Sequence, residues 1–434
     1  MKHHCKYVSK RLALLLMVLF VGTLTLTGCG SDDYDTSDTG KTAPVEGQTE
    51  NVIIGAATLK SWVDAGKVNA DSYDKVVILD TSSEDVYNQG HIPGAQWWDI
   101  GTQVMTRTEG PIETVNMVLD GSSMDTLMEK HGIDTNTTIV ITGDTDSYSF
   151  YPLRAYFLFR YWGFPKEQVK VLDGFNDAWT YDVSTTAPDM SDASYSSVKE
   201  MPQINQDLRA SLSEMIVGLS EESITVVDFR AAAPTPLTRG VWADDHNDDG
   251  VATSPSDNTD GDYDAVVFDG TMKNGEYFSW GAVQNADGTF KDAETLKGEM
   301  QTAGIDNSKK LVTMCRTAYI ASTGFFAFDA ILGWDSMVYD GSWSQWGSLS
   351  TQDTGRGGLL PDDSQWYTDD STLMDNIIYR DTEYTIEPAR IKAPTAADPF
   401  SDEANNVENE DYDYWNAPLE EGPAGELSSG GGGC

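Results

Sequence analysis

Four cysteines, Cys5, Cys29, Cys315 and Cys434, are the candidate nucleophiles of this 434-residue chain. Cys315 sits where chemistry is easiest to build. An apolar run at residues 311–314 ends at the thiol, Arg316-Thr317-Ala318-Tyr319-Ile320 follows as a tight loop, and residues 321–332 read as a helix. A strand–loop–helix turn of this kind directs several backbone N–H groups, and the start of a helix, at one sulfur. The expected consequences are a lowered thiol pKa and a cradle for an anionic sulfur adduct. A buried core cysteine at a strand end is the reading that this stretch alone leaves open. No cysteine spacing suits a zinc site.

The elements that must position the thiol alternate in type. In the first part, helices are predicted at residues 57–66, 124–131 (closed by Gly132) and 153–162 (ended by Gly163). Val- and Ile-rich strands are predicted at 75–80, 138–142 and 169–173. In the second, a helix at 208–218 precedes a strand at 225–229, and a helix at 295–303 leads into the cysteine strand. Strands alternating with helices give an α/β fold with mainly parallel sheets flanked by helices.

Short sequences recur along this frame. Val226-Val227-Asp228-Phe229-Arg230 precedes the cysteine loop, and Val338-Tyr339-Asp340-Gly341-Ser342-Trp343-Ser344-Gln345-Trp346-Gly347 follows it. The first half carries Val77-Ile78-Leu79-Asp80, then Gly90-His91-Ile92-Pro93-Gly94-Ala95, then Val171-Leu172-Asp173-Gly174-Phe175. In order and spacing these resemble the tandem rhodaneses, a sulfurtransferase family, over residues 52–350. The resemblance implies two rhodanese-like domains, at 52–185 and 207–360, joined by a linker at 186–206. The first is expected to be catalytically inactive, because Gly143-Asp144 stands where the family's cysteine would be. Its expected work is to cover the active face of the second.

The resemblance also assigns roles. Cys315 would carry a persulfide, bound by the loop Arg316, Thr317, Ala318, Tyr319 and Ile320, and Arg230 would contact an anionic donor. A guanidinium fork suits a sulfonate, although a salt bridge within the domain explains Arg230 equally well. Arg316 points to thiosulfate or polysulfide over mercaptopyruvate, with a thiol, cyanide or a partner protein as acceptor and no cofactor required. Thr317 replaces the family's second cation and Ala318 its glycine, which sets the pattern of the loop apart. His91 reads as a turn residue. One of Arg154 and Arg160 is expected to face the cleft between domains, unless both lie on a solvated helix face.

The ends of the chain carry other signals. Lys2, Lys6, Lys10 and Arg11 precede an apolar run at 12–26 and then Leu26-Thr27-Gly28-Cys29, the pattern of a bacterial lipoprotein signal peptide at 1–28. Cys29 would be lipidated and the chain exported and anchored to the cell envelope, with Gly30 after the cysteine favouring the outer membrane. Residues 29–51 read as an acidic tether. Net charge is −42, with 39% hydrophobic residues, a pI near 4.1 and mean hydropathy −0.38. Such a surface excludes nucleic acid as a partner, leaves the lipid as the only membrane contact, and requires any anion site to be built locally.

Within an insertion at 231–270, Asp245, Asn247, Asp249, Val251 (by its carbonyl) and Thr253 have the spacing of a calcium loop. Ser256 replaces the closing glutamate, so an acidic solvated loop is the competing reading, and structural calcium is the one metal expected. Residues 361–434 read as an acidic, disordered extension with an accessory thiol, Cys434, on a glycine arm. The functional alternatives are a non-catalytic envelope binding or assembly protein on the same scaffold, or a persulfide or selenium carrier for a redox partner.

Overall fold

The computed structural model describes residues 52–102, 104–110, 112–145, 149–190, 193–230, 272, 275–350, 368–369, 378–379 and 405–419. The first half runs β1 (Ile53–Ile54), α1 (Ala56–Asp64), β2 (Val76–Asp80), α2 (Glu84–Gln89), β3 (Gln96–Trp97), β4 (Met105–Glu109), β5 (Ile112–Met117), α3 (Gly121–His131), β6 (Thr138–Thr142), α4 (Tyr151–Tyr161) and β7 (Val169–Leu172). The second runs β8 (Arg209–Ala210), α5 (Leu212–Ser220), β9 (Ile224–Asp228), β10 (Glu276–Tyr277), α6 (Ala293–Thr302), β11 (Lys310–Met314), α7 (Ala321–Phe326), β12 (Ser336–Tyr339) and α8 (Ser342–Ser350). A last helix, α9, spans Asn406–Asn416.

Two five-stranded parallel sheets result, ordered β1-β7-β6-β2-β3 and β10-β9-β11-β12-β8. Replacing each strand of the first with its successor in the second gives the same order, so the chain draws one topology twice. Central strands such as β2 are buried along their whole length, as a sheet covered on both faces demands. Local chemistry repeats as well. Asp120 accepts from Ser123 N to cap α3, and Asp292 accepts from Thr295 N to cap α6. Gly132 ends α3 at φ 62°, in the left-handed region that glycine enters at little cost.

The halves exchange contacts across their seam. Asp173, after β7, accepts from Phe290 N at 2.8 Å, and Asp340, after β12, accepts from Val118 N at 2.8 Å. Each carboxylate thus ties down the stretch before the other half's capped helix. Helices α4 and α7 pack against each other, with Tyr156 edge-on to Phe326 and Phe157 edge-on to Phe325. Each fully buried aromatic of this kind contributes about 1.5–3 kcal/mol. Tyr156 Oη and Arg160 Nε donate to Asp329 in the second half. The predicted linker is a fastened strap: Val198 and Met201 are core residues, and Ser197 Oγ and Val198 N donate to Asp125.

Two parts of the fold differ from expectation. The hairpin β4–β5 was not foreseen. The acidic C-terminal extension is expected to be disordered, yet residues 405–419 within it contain a docked helix. The reason lies in which residues of α9 are buried: Val407, Glu408 and Asp411. Two of the three are carboxylates, and each meets a buried arginine. Arg107 on β4 forks onto both oxygens of Asp411 at 2.9 Å, and Tyr161 Oη joins them at 2.8 Å. Arg209 Nη1 donates to Glu408 at 3.2 Å and to Glu109 at 2.8 Å. At the far end Tyr414 lies over Gly121, where a β-carbon would come within 2.0 Å of the ring. A buried pair is costly to break from one side, because the other charge is stranded. Arg107→Ala should therefore lower stability by about 3–5 kcal/mol in urea unfolding. A loss under 1 kcal/mol would show that α9 is not held by this pair.

Candidate active site

Strand β11 lies between β9 and β12, and it delivers Cys315 to the carboxyl end of the second sheet. The register Met314↔Asp228 in this sheet matches Thr142↔Asp80 in the other, so Gly143 holds the position of Cys315 in the first half. Next to each strand end the first half also shows what the site has gained. Ser82 N and Oγ donate to Asp80, whereas Arg230 N and Nε donate to Asp228. Arg230 also reaches Asp228 through Nη2 and is buried. In this structure its guanidinium lies against the neighbouring Asp228, the salt-bridge arrangement.

The thiol is 1% exposed and forms no disulfide. The backbone N–H groups of Ala321, Thr317 and Ile320 lie near the sulfur and favour its anionic form. The loop therefore converges on the sulfur as its sequence suggests. The net electrostatic outcome is the reverse of the expected one. Burial pushes the Cys315 thiol up and Asp228 adds to this, against the downward pull of the three amides. Amide dipoles lower a thiol pKa in a partly solvated turn, but here desolvation wins.

The rest of the loop is fixed from two sides. From its own half, Ser342 Oγ accepts from Cys315 N at 3.3 Å, Trp343 N donates to Cys315 O at 3.1 Å, and Ser344 N donates to Arg316 O at 2.9 Å. The Asp-Gly-Ser-Trp stretch thus positions the cysteine loop. From the first half, Ile100 O accepts from Tyr319 Oη at 2.9 Å, and Arg154 lies 5.4 Å from the Tyr319 ring. Phe150, Tyr151 and Trp280 complete an aromatic wall beside Tyr319. Both Arg154 and Arg160 face the seam: Arg154 pairs with Asp340 at 2.9 Å, and Arg160 meets Asp329 at 3.3 Å. His91 is a turn residue, stacked on Tyr87, with Nδ1 on Tyr87 O and Nε2 on Thr186 O.

Arg316, Thr317 and Ile320 are half-buried, whereas Ala318 and Tyr319 are buried. Ala318 adopts φ 65°, the left-handed region, so the alanine stands in a conformation made for glycine. An alanine there costs about 1–2 kcal/mol. Sequence reasoning missed Ile100, Phe150, Tyr151 and Trp280, because nothing local to each marks a wall drawn from separate segments. Ser342 was within reach, since its motif was already in view. Cys29, Cys434 and the calcium-loop residues Asp245, Asn247, Asp249, Val251 and Thr253 lie outside the described residues. Among the described residues, no cluster of three or more His, Cys, Asp or Glu side chains could hold a metal, and no helix is long and apolar enough to cross a membrane.

Two outcomes follow. Ala318→Gly should raise stability by about 1 kcal/mol in denaturant unfolding, and no gain would mean the loop relaxes elsewhere. The alkylation rate of Cys315 should climb with pH to a midpoint above that of an unburied thiol, since only the thiolate reacts. A midpoint below the ordinary value would mean that the amides, not burial, set the thiol.

Over 314 residues the chain is 28% identical to the sulfur carrier protein TtuD of Thermus thermophilus, covering 69% of this chain and 94% of the relative. Over 278 residues it is 26% identical to the thiosulfate sulfurtransferase of Corynebacterium glutamicum, covering 62% and 81%. The fold is shared with the anaerobic ergothioneine biosynthesis enzyme of Chlorobium limicola, crystallised with trimethyl histidine. The TM-score is 0.51 at 19% identity over 68% of each chain, a likeness of fold alone. Residues 56–182 match the model of the rhodanese-like domain, and over some two thirds of its length the chain is similar to a sulfur carrier protein and to a thiosulfate sulfurtransferase.

Proposed function

We propose that the chain is a tandem rhodanese that moves sulfane sulfur through a persulfide on Cys315. The observation that carries this reading is a single thiol set at the carboxyl end of β11, in a loop held by Ser342, Trp343 and Ser344, with the amides of Thr317, Ile320 and Ala321 near its sulfur. In the first step the Cys315 thiolate attacks the outer sulfur of thiosulfate or a polysulfide. The new bond joins Sγ to that sulfur, the donor's S–S bond breaks, and its electron pair leaves with sulfite or the shortened polysulfide. In the second step cyanide or a thiolate takes the outer sulfur, and the thiolate of Cys315 returns. The persulfide bears its negative charge on the terminal sulfur, close to the converging amides. The Cys315 thiol must first give up its proton, to solvent or to a basic donor; after that no further proton moves, because the leaving group departs as an anion.

The first half has Gly143 at the matching position and supports a structural role: it supplies Ile100, Phe150 and Tyr151 around Tyr319. Arg316 and the loop amides, not the occupied Arg230, then meet the donor anion. We read the pre-cysteine signal as supporting a chain lipid-anchored to the cell envelope through Cys29. The non-catalytic binding protein remains the competing reading, favoured by a thiol that is both buried and raised in pKa.

Intact-protein mass after incubation with thiosulfate, polysulfide or mercaptopyruvate separates the two. The expected result is one added sulfur that is absent in Cys315→Ser and retained in Cys434→Ser, with lipid on Cys29 in protein from the membrane fraction. Folded, reduced protein that gains no sulfur at Cys315 from any donor would overturn the sulfurtransferase reading in favour of the binding protein. An unmodified Cys29 would remove the anchor alone.

A further inference from the structure

Helix α9 lies outside the two sheets, yet an unbroken chain of contacts runs from it to the cysteine loop. Glu408 accepts from Arg209 Nη1 at 3.2 Å, and Arg209 Nε reaches Asp340 at 3.4 Å. From Asp340 the path divides. One branch crosses the seam to Arg154 at 2.9 Å, whose guanidinium lies over the ring of Tyr319. The other follows the backbone through Gly341 to Ser342, whose hydroxyl accepts from Cys315 N. A parallel contact reinforces this: Glu109, the other partner of Arg209 Nη1, accepts from Gln345 Nε2 in α8 at 3.2 Å. Arg209, Asp340, Glu109 and Glu408 are all at most 3% exposed. Water therefore cannot replace a lost partner, and the loss of one must be met by movement of the others.

We propose that α9 is a positioning element for the Cys315 loop. By supplying Glu408 to Arg209 and Asp411 to Arg107, it fixes Asp340, and Asp340 fixes both sides of the loop, Ser342 directly and Tyr319 through Arg154. When α9 leaves, Arg209 loses one of its three carboxylates and Asp340 is drawn toward it. The Ser342 and Tyr319 contacts then loosen, and the sulfur, closed in at 1% exposure, becomes accessible. The segment thus decides how far the thiol is open to solution. Its functional meaning rests on the sulfur-transfer reading; its physical content does not.

The test is the rate of Cys315 alkylation by iodoacetamide, which needs no sulfur donor, in chains carrying Cys434→Ser. Ending the chain after residue 404 should speed alkylation about tenfold, within the usual range for coupling between sites. A synthetic peptide of residues 405–419 added to the shortened chain should restore the slow rate. Gly121→Ala, which drives a methyl group into the Tyr414 ring, should speed alkylation in the full-length chain and serves if the shortened chain does not fold. Arg154→Met should speed it too, and combining Arg154→Met with the truncation should add little, since both cut one path. The faster rate should not depend on urea at low concentrations, as local opening requires. An unchanged rate in folded truncated and Gly121→Ala proteins, a fully multiplicative double variant, or a rate that tracks urea as global unfolding does would each overturn the proposal. Failure of the sulfur-adduct experiment with these results intact would leave the coupling standing and remove only its catalytic meaning.

Discussion

The structure depends on a dry ionic seam. Arg107, Arg154 and Arg209 face Glu109, Asp340, Glu408 and Asp411, all of them buried. Taking such charges out of water is expensive, and the expense is met only if every one finds a partner with good geometry. Three guanidinium groups against four carboxylates leave one negative charge in excess. Burial first, then the neighbouring Glu214 and Glu109, push the Glu408 carboxyl well above the usual range, although Arg209 pulls it down. The sign follows: an acid raised in the folded state contributes stability that is complete below its unfolded pKa and is lost as pH rises through the folded one. Asp340 behaves in the opposite way. Burial would raise it, but Arg154 and Arg209 together hold it below the ordinary aspartate value, so it anchors the seam as a true anion.

The repeated topology explains why this seam exists. Each half presents the carboxyl end of its sheet and the helix that follows toward the other, and each lends the other an acceptor, Asp173 for Phe290 N and Asp340 for Val118 N. Symmetric scaffolding with asymmetric chemistry is the result. Ser82 and Gly143 occupy in one half the positions that Arg230 and Cys315 occupy in the other, and the first half's loop and helix form part of the wall beside the second half's loop. Tyr319 is the side chain that joins wall to loop, through Ile100 O.

Much of this was legible in the sequence. The strands at 76–80, 138–142 and 310–314 are continuous apolar runs that parallel sheets require, and the cysteine at the end of one of them identified the site. Gly132 marked the end of α3, but the caps Asp120 and Asp292 went unread, and the predicted helices therefore began after the observed starts at Gly121 and Ala293. What could not be read was anything decided by partners far apart in the chain. Arg230 gave no sign whether its fork would face a donor or Asp228. The direction of the Cys315 shift depended on how completely the halves would shut out water. Helix α9 was hidden for a different reason: its buried stripe is acidic, so hydrophobic periodicity, the main signal for a packed helix, was absent by construction. Its partners, Arg107 and Arg209, carry no local mark of burial.

Consider finally the distance along the chain over which the seam is closed. Val118 meets Asp340 across 222 residues, and Arg107 meets Asp411 across 304. A ribosome makes the chain from one end. The hairpin that carries Arg107 and Glu109 therefore emerges long before any of its distant acceptors or donors exist. Until the last helix has been made, a guanidinium and a carboxylate destined for a waterless interior must stay hydrated, and the halves must stay apart enough to allow it. The seam thus cannot be completed before the residues of α9 have been made.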